Sequence, residues 1–485
     1  MMRHTSFRDF LTRERISGGA LLPDGETLLM SDSVWDQANE RRADRLVLRN
    51  VRSGKEAFLT APAGQQDSPV LSPDGKRVAF LCANGGPKQL QVTEIASGRT
   101  TVLTHLQAPV MDPRWSPDGQ LLVFTSPAAD ESGQTFEPAF MPEMGSAWDH
   151  ELDPVAIEDF GYKFDGLGFK RPSVMHLFVV PSDGSSEPRR ISSGNCHMLH
   201  ACFAADSRHV LCESNLFCAK ENAIAMDLLS IDLETLEIRR LTENKWIVSY
   251  PNPVRPVCTT DGESVVIGLL NMPGTTDTAS KTEELGEDST YPACTLHRLS
   301  LKDLSLTPIT RPTSDCFDNV QFAYNAGTGA GLEKVMLTCD GQSVLFCAGY
   351  MGQGQIYRVP LQGEANEPVR LTDTAWCYNG LGRAGNGWVL CARAKSDVPE
   401  QYVLLNEETG EIRYIERDKV GTEEEDSSWV VVEKADPRRK NPFAALPYSS
   451  SCPASSGSSV VYKYNPDEEL DNLLKTLQEH GGVFE

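Results

Sequence analysis

One hairpin-forming stretch recurs along this chain, and the recurrence limits what it can fold into. Residues 71–82 read LSPDGKRVAFLC. An extended apolar approach meets Ser72-Pro73-Asp74-Gly75, and an apolar run, 78–82, leaves it. Proline presets φ for the first half of a tight turn, aspartate bonds its own backbone, and glycine reaches positive φ. Two strands joined by a turn follow. Related stretches stand at 21–31 (LLPDGETLLMS), 112–126 (DPRWSPDGQLLVFTS), 200–214 (HACFAADSRHVLCES), 255–269 (RPVCTTDGESVVIGL) and 334–348 (KVMLTCDGQSVLFCA). The most altered copy surrounds Asn386-Gly387 ahead of WVLCAR. Each hairpin is followed by a second pair of strand-like segments, several of them joined by short polar turns such as Ser53-Gly54, Ser97-Gly98, Asp183-Gly184 and Thr409-Gly410.

Four short strands per unit, in seven units, predict an all-β chain: a seven-bladed β-propeller of four-stranded blades. A sandwich or barrel of many strands does not account for seven copies of one strand order. The blades fall at about 14–62, 63–106, 107–193, 194–244, 245–313, 314–374 and 375–420, after a lead-in of 1–13. Blade 1 has its own first strand and blade 7 its own fourth, so no strand exchange is expected at ring closure. Residues 421–485 read as an acidic and Ser/Pro-rich linker followed by a short amphipathic helix. Asn465 serves as N-cap with Pro466 and Glu468 in the first turn, Leu470, Leu473, Leu474 and Leu477 form the apolar stripe, and Gly481 ends it.

In such a blade the first-to-second and third-to-fourth turns share one face of the ring, and the other connections share the opposite face. The Asp-Gly and Ser-Gly turns are short. The long insertions, 126–175, 271–294 and 311–333, all belong to the second face, which is therefore the expected binding or docking surface.

The chain carries 68 acidic against 45 basic side chains, a formal net charge of −23. That balance argues against nucleic acid or an anionic membrane as partner. The first residues lack an apolar signal region, and no stretch approaches the ~20 apolar residues of a membrane span. Thirteen cysteines, mostly within apolar strand runs, suit reduced buried thiols. These features point to a cytoplasmic protein.

Catalytic motifs are scarce. There is no G-x-S-x-G elbow, P-loop, dinucleotide fingerprint or EF-hand pattern, and no cofactor is expected. The Asp-Gly aspartates (Asp24, Asp74, Asp118, Asp206, Asp261 and Asp340) cap turns. Cys196-His197 with His200 and Cys202 is the one tight Cys/His cluster. Its C-H-x-x-H-x-C order matches no closed zinc site, and His200 and Cys202 share a strand face suited to core or channel packing. His197 and His200 are the only metal candidates, and a propeller lyase built on them is the least favoured functional class.

The SPDG repeats at 72–80 and 116–124 resemble TolB/WD40-like repeats. IEDFGYKFDGLGF (157–169) followed by HLFVVPSDGSSEPRRIS (176–192) resembles the N-terminal propeller of S9 serine peptidases, in the prolyl oligopeptidase and acylaminoacyl-peptidase group. The match includes Tyr162, Lys163, Asp165, Gly166, Gly168 and Phe169, and the likeness covers about residues 7–416. It implies a propeller that filters peptides on their way to a separate α/β-hydrolase domain. That domain has no counterpart after residue 416, so the chain alone is expected to be non-catalytic: the gating half of a split, truncated or decayed peptidase. A hydrolase subunit or a peptide is the expected partner, with Tyr162, Lys163, Phe164, Asp165, Phe169 and Trp148 on the insertion face as candidate binding residues. The alternative is a TolB/WD40-like scaffold for a protein or peptide.

Overall fold

A computed structural model of the chain describes residues 15–36, 41–60, 64–128, 163–164, 168–169, 174–194, 196–217, 226–243, 254–270, 294–310, 333–350, 353–364, 366–373, 375–383, 385–395 and 398–415. They form seven four-stranded antiparallel sheets, each with its strands in sequence order. The first strands are Arg15–Leu21, Gln65–Leu71, Met111–Trp115, Met198–Phe203, Val257–Cys258, Val335–Leu337 and Cys377–Arg383. First strands of neighbouring blades lie against one another, which places them around the ring axis. Each sheet is built from one continuous stretch of chain, so no strand is exchanged between blades. The C-terminal helix expected over 465–481 lies outside the described residues.

Packing explains why the second strands read as unbroken apolar runs. Each sheet is covered on both faces by its neighbours, so alternation gives way to continuous burial. In Arg77–Ala83 the five central residues are all buried. Seven apolar clusters result, one at each seam between blades. The seam that closes the ring joins Leu28, Met30 and Val47 of blade 1 to Leu390, Ala392 and Leu404 of blade 7. Apolar contact across this seam substitutes for an exchanged strand.

The turns follow a shared hydrogen-bond scheme. Ser72 donates to Asp74 Oδ1 at 2.6 Å, and the same carboxylate oxygen accepts the Lys76 N–H. Ser116–Asp118, Thr259–Asp261 and Thr338–Asp340 repeat the hydroxyl–carboxylate pair. The turn glycine has a second reason to be glycine. Gly75 sits at φ +69, and a Cβ there would lie 2.3 Å from Cγ of Pro23 in the preceding blade. Where serine replaces it, Ser207 keeps φ +57, and its hydroxyl accepts the Asp118 N–H of the preceding blade at 3.2 Å.

A second repeated device ties the fourth strand to the third. A buried hydroxyl beyond the fourth strand accepts a third-strand N–H: Thr104 from Leu90, Ser192 from Leu177, Thr242 from Leu228, Thr310 from Leu296 and Thr372 from Ile356. Thr104 and Thr372 also donate to Gln89 and Gln355. In blade 3 that glutamine is replaced by His176, which is fully buried and lies 2.9 Å from Ser192 Oγ through Nδ1. Arg190 donates to its Nε2, so the ring is neutral with its proton directed at Ser192. Burial, reinforced by the Arg190 charge, lowers its pKa to about 4. Because the folded value lies below the unfolded one, the unfolded chain binds the proton first. The stabilisation is therefore complete above about pH 6.5 and is lost as pH falls toward 4, by about 3 kcal/mol. His176→Gln, which copies blades 2 and 6, is expected to flatten this slope. Urea unfolding at pH 4.5 and 7.5 checks it: an unchanged slope in the variant would assign the proton to another group.

Candidate active-face residues and the channel cluster

The inner strands carry an irregularity at one level. Register shifts interrupt the pairing between Ser17 and Gly19, Asp67 and Val70, Leu199 and Cys202, and Asn379 and Leu381; in blade 3 the shift lies opposite Met111–Arg114. The residue at the bulge adopts positive φ: Ser68 at +54, Asp112 at +54, His200 at +50 and Gly380 at +76. All stand four residues ahead of the turn. Arg255 and Lys334 occupy the corresponding place in blades 5 and 6, and Gly18 in blade 1. A bulge re-aims a side chain, and a non-glycine residue held at positive φ costs about 1–2 kcal/mol, a strain that concentrates at functional sites.

Four charged side chains meet at this level. The Arg255 guanidinium donates from Nη1 and Nη2 to the two Asp112 oxygens, both at 2.7 Å. Its Nε lies 3.4 Å from Glu333 Oε2. Arg114 Nη2 lies 2.5 Å from Glu333 Oε1 and 3.3 Å from Asp112 Oδ1. Charges therefore alternate around a closed square. Asp112 and Arg114 belong to blade 3, Arg255 to the start of blade 5 and Glu333 to the start of blade 6. Blades 3 and 6 are as far apart as a seven-membered ring permits, so the Arg114–Glu333 pair crosses the axis. The backbone of Glu333 also exchanges two hydrogen bonds with Leu381 of blade 7, at 2.9 and 2.8 Å. First strands run from the insertion face toward the short turns. Asp112, Arg255 and Glu333 stand at or just before the beginnings of their first strands, which sets the square toward the insertion face.

Electrostatics keep the square charged. Burial opposes ionisation of Asp112, but Arg255 and Arg114 overcome it and hold the carboxyl at about 2. Glu333 is likewise lowered, against burial, by Arg114 and Arg255. The two carboxylates raise the Arg255 guanidinium further. None of these three groups can exchange a proton near neutral pH, which is what a general acid or base must do. The arrangement ties blades 3, 5 and 6 together. Ser68 gives a contrast: it is exposed, has the same φ as Asp112, and donates its hydroxyl to its neighbour Asp67. Ser68→Gly is expected to stabilise the fold by up to about 1 kcal/mol by relieving left-handed strain, whereas Asp112→Gly destabilises it. Paired thermal melts check the difference in sign.

Of the residues singled out in the sequence, Trp148, Tyr162 and Asp165 lie outside the described residues. The backbone of Lys163, Phe164 and Phe169 is described: Lys163 pairs with Phe169 and Phe164 with Gly168 in a short hairpin. His200 reaches the channel cluster. Its Nδ1 lies 2.7 Å from Glu213 Oε2, and Glu213 is fully buried, its Oε1 making no hydrogen bond among the described residues. His197 donates its backbone N–H to Asn215 Oδ1, and its ring Nδ1 accepts the Met175 N–H at 3.4 Å. Cys196 is buried, and Cys202 neighbours Cys258 of blade 5, whose thiol donates to Phe203 O at 3.4 Å. No group of three or more His, Cys, Asp and Glu among the described residues could hold a metal ion. Nine cysteines among the described residues form no disulfide, and Cys339 is exposed. No helix among the described residues is long and apolar enough to cross a membrane. Asp112, Arg114, Arg255 and Glu333 went unread in the sequence. Asp112 and Arg255 stand four residues before their turns, but Arg114 and Glu333 do not, so no shared spacing marked the four.

No protein-family model matches the chain. By sequence it is 25% identical over 195 residues to a protein of Bacillus subtilis described as uncharacterized peptidase YuxL, a match covering 40% of this chain and 28% of that protein. By structure it is similar to the acylaminoacyl peptidase of Pyrococcus horikoshii, with TM-score 0.56 and 12% identity over 84% of this chain and 53% of that one. It is also similar to the β-propeller domain of the trilobed protease of Pyrococcus furiosus, described as having an open velcro topology: TM-score 0.52, 12% identity, 84% of this chain and 98% of that domain. The chain thus matches about half the length of the whole peptidase and nearly all of the isolated propeller. Ring, unexchanged blades and sequence matches agree: the propeller resembles those of the S9 serine peptidases.

Proposed function

We propose that this propeller is the substrate-selecting part of an S9-type peptidase and is not itself catalytic, the chemistry residing in an α/β-hydrolase that acts with it. The observation that carries this reading is the ionic square across the channel. A propeller used as a filter must limit what passes, and four paired charges from blades 3, 5 and 6 obstruct the axis. The likeness to peptidase propellers supports the same reading. Peptides are the proposed substrate class, approaching on the insertion face, where Tyr162, Lys163, Phe164, Asp165, Phe169 and Trp148 remain the proposed contacts. The test is turnover of acylaminoacyl and aminoacyl chromogenic substrates. The purified 485-residue protein is expected to show none by itself, and a co-purifying hydrolase is expected to show altered size selectivity when the propeller is added. Turnover by the chain alone, surviving mutation-free repurification, overturns the reading.

A further inference from the structure

A groove of about 380 Å³ opens at the seam between blades 4 and 5, on the side of the short turns. Its walls combine apolar groups (Ala204, Leu211, Leu241, Leu301) with the carboxylates of Asp206, Asp232 and Glu237. His209 and Arg239 also line it. The corresponding seam between blades 2 and 3 is filled by the protein itself. There Arg77 crosses from blade 2, donating to Gly119 O at 2.7 Å and to Ser182 Oγ at 2.9 Å. Its guanidinium stacks on Trp115, 4.8 Å from the ring centroid.

Alignment on the turns places His209 where Arg77 stands, Gly262 where Gly119 stands, Leu301 where Ser182 stands and Cys258 where Trp115 stands. Both halves of the cation–π pair are thus replaced by smaller side chains. His209 is too short to cross the seam; it turns back to Asp206 at 2.6 Å and lies 3.5 Å from Asp232. Arg208 also occupies Asp232, at 2.7 Å. The Glu237 carboxylate, exposed at the rim, keeps its acceptors open to the groove.

We propose that this groove is a docking site for an arginine side chain of a peptide or protein partner. The apolar walls suit the arginine stem, and Glu237 with the Gly262 carbonyl suits a guanidinium, as Gly119 O does for Arg77. The filled counterpart two blades away supplies the template, and the proposal is independent of any peptidase role.

N-acetylarginine amide and its neutral isostere N-acetylcitrulline amide are the probes, read by amide shifts of Ala205 and Gly262 in the full chain. The arginine probe is expected to perturb both amides and to bind at least fivefold more tightly than the citrulline probe. His209→Arg, which supplies the missing side chain internally, is expected to raise the melting temperature and abolish probe binding. Glu237→Gln, at an exposed position, is expected to weaken binding at least threefold without altering the melt. Arg77→Ala is expected to create a second site, at Gly119. No perturbation at Ala205 and Gly262, equal binding of the two probes, or binding unchanged in His209→Arg or Glu237→Gln overturns the proposal. Binding gained only at Gly119 in Arg77→Ala overturns it too, since the natural groove would then lack the affinity of its template.

Discussion

Arg255→Ala is expected to destabilise the ring by about 2–4 kcal/mol. Arg255 donates both terminal nitrogens to Asp112 and faces Glu333 through Nε, and its side chain is only 15% exposed. Truncating it leaves two carboxylates sharing Arg114, one of them fixed at positive φ on a bulge. The loss is large because charges remain behind, not because the pair itself is strongly stabilising. Arg255→Met combined with Asp112→Asn removes one charge of each sign and leaves Arg114 with Glu333. It is therefore expected to recover at least half of the loss. Asparagine is chosen because it tolerates left-handed φ. Urea midpoints of both singles and the double give the cycle, and additivity of the singles would show that the square is not coupled. The pH dependence has a definite sign. Asp112 has its pKa lowered from 3.8 to about 2, so its contribution is complete above about pH 3.8 and disappears as pH falls through 2. Over pH 5–8 the square adds no slope, which separates it experimentally from His176.

Gly75→Ala is expected to cost roughly 2–4 kcal/mol, far more than an exposed turn substitution ordinarily does. Two effects combine. The backbone sits at φ +69, where any Cβ is strained, and the new methyl would overlap the Pro23 ring at 2.3 Å. Gly85 separates them: its φ is +74, but no atom lies within 4 Å of a built Cβ. Gly85→Ala therefore measures the conformational part alone, about 1 kcal/mol. Equal losses at the two sites would show that the contact between successive turns is slack. Pro23→Ala in the Gly75→Ala background is expected to return part of the difference.

The repeat was legible because its chemistry is local. Ser-Pro-Asp-Gly turns, the hydroxyl–carboxylate pairs inside them, and apolar second strands act over a few residues, so a single chain displays them. The ring followed from counting, and its unexchanged closure from finding a first and a fourth strand at the two ends. The fourth-strand hydroxyl clasp recurs in blades 2 to 6, at Thr104, Ser192, Thr242, Thr310 and Thr372, but its partners lie 14 to 16 residues away along the chain. Spacing alone does not distinguish such a hydroxyl from any other serine or threonine in a polar segment.

The channel square was not legible, for a physical reason visible in its members. Arg114 and Glu333 stand 219 positions apart, and Arg255 and Asp112 143 apart. A charged residue near a strand start reads as solvated, and only ring closure brings these four within ion-pair distance. The Cys/His cluster shows the converse. Its residues are neighbours in sequence, but alternation along the strand and the bulge at His200 separate them. The His200 ring goes to Glu213, the His197 ring to the Met175 N–H and Cys202 toward Cys258. Sequence by itself determined the strand units, their number and their turn chemistry, because hydrogen bonds within a hairpin depend on neighbouring residues. Tertiary structure alone decided which charges meet on the axis and that a groove opens at the seam between blades 4 and 5, because those contacts depend on how many blades separate two residues rather than how many amino acids.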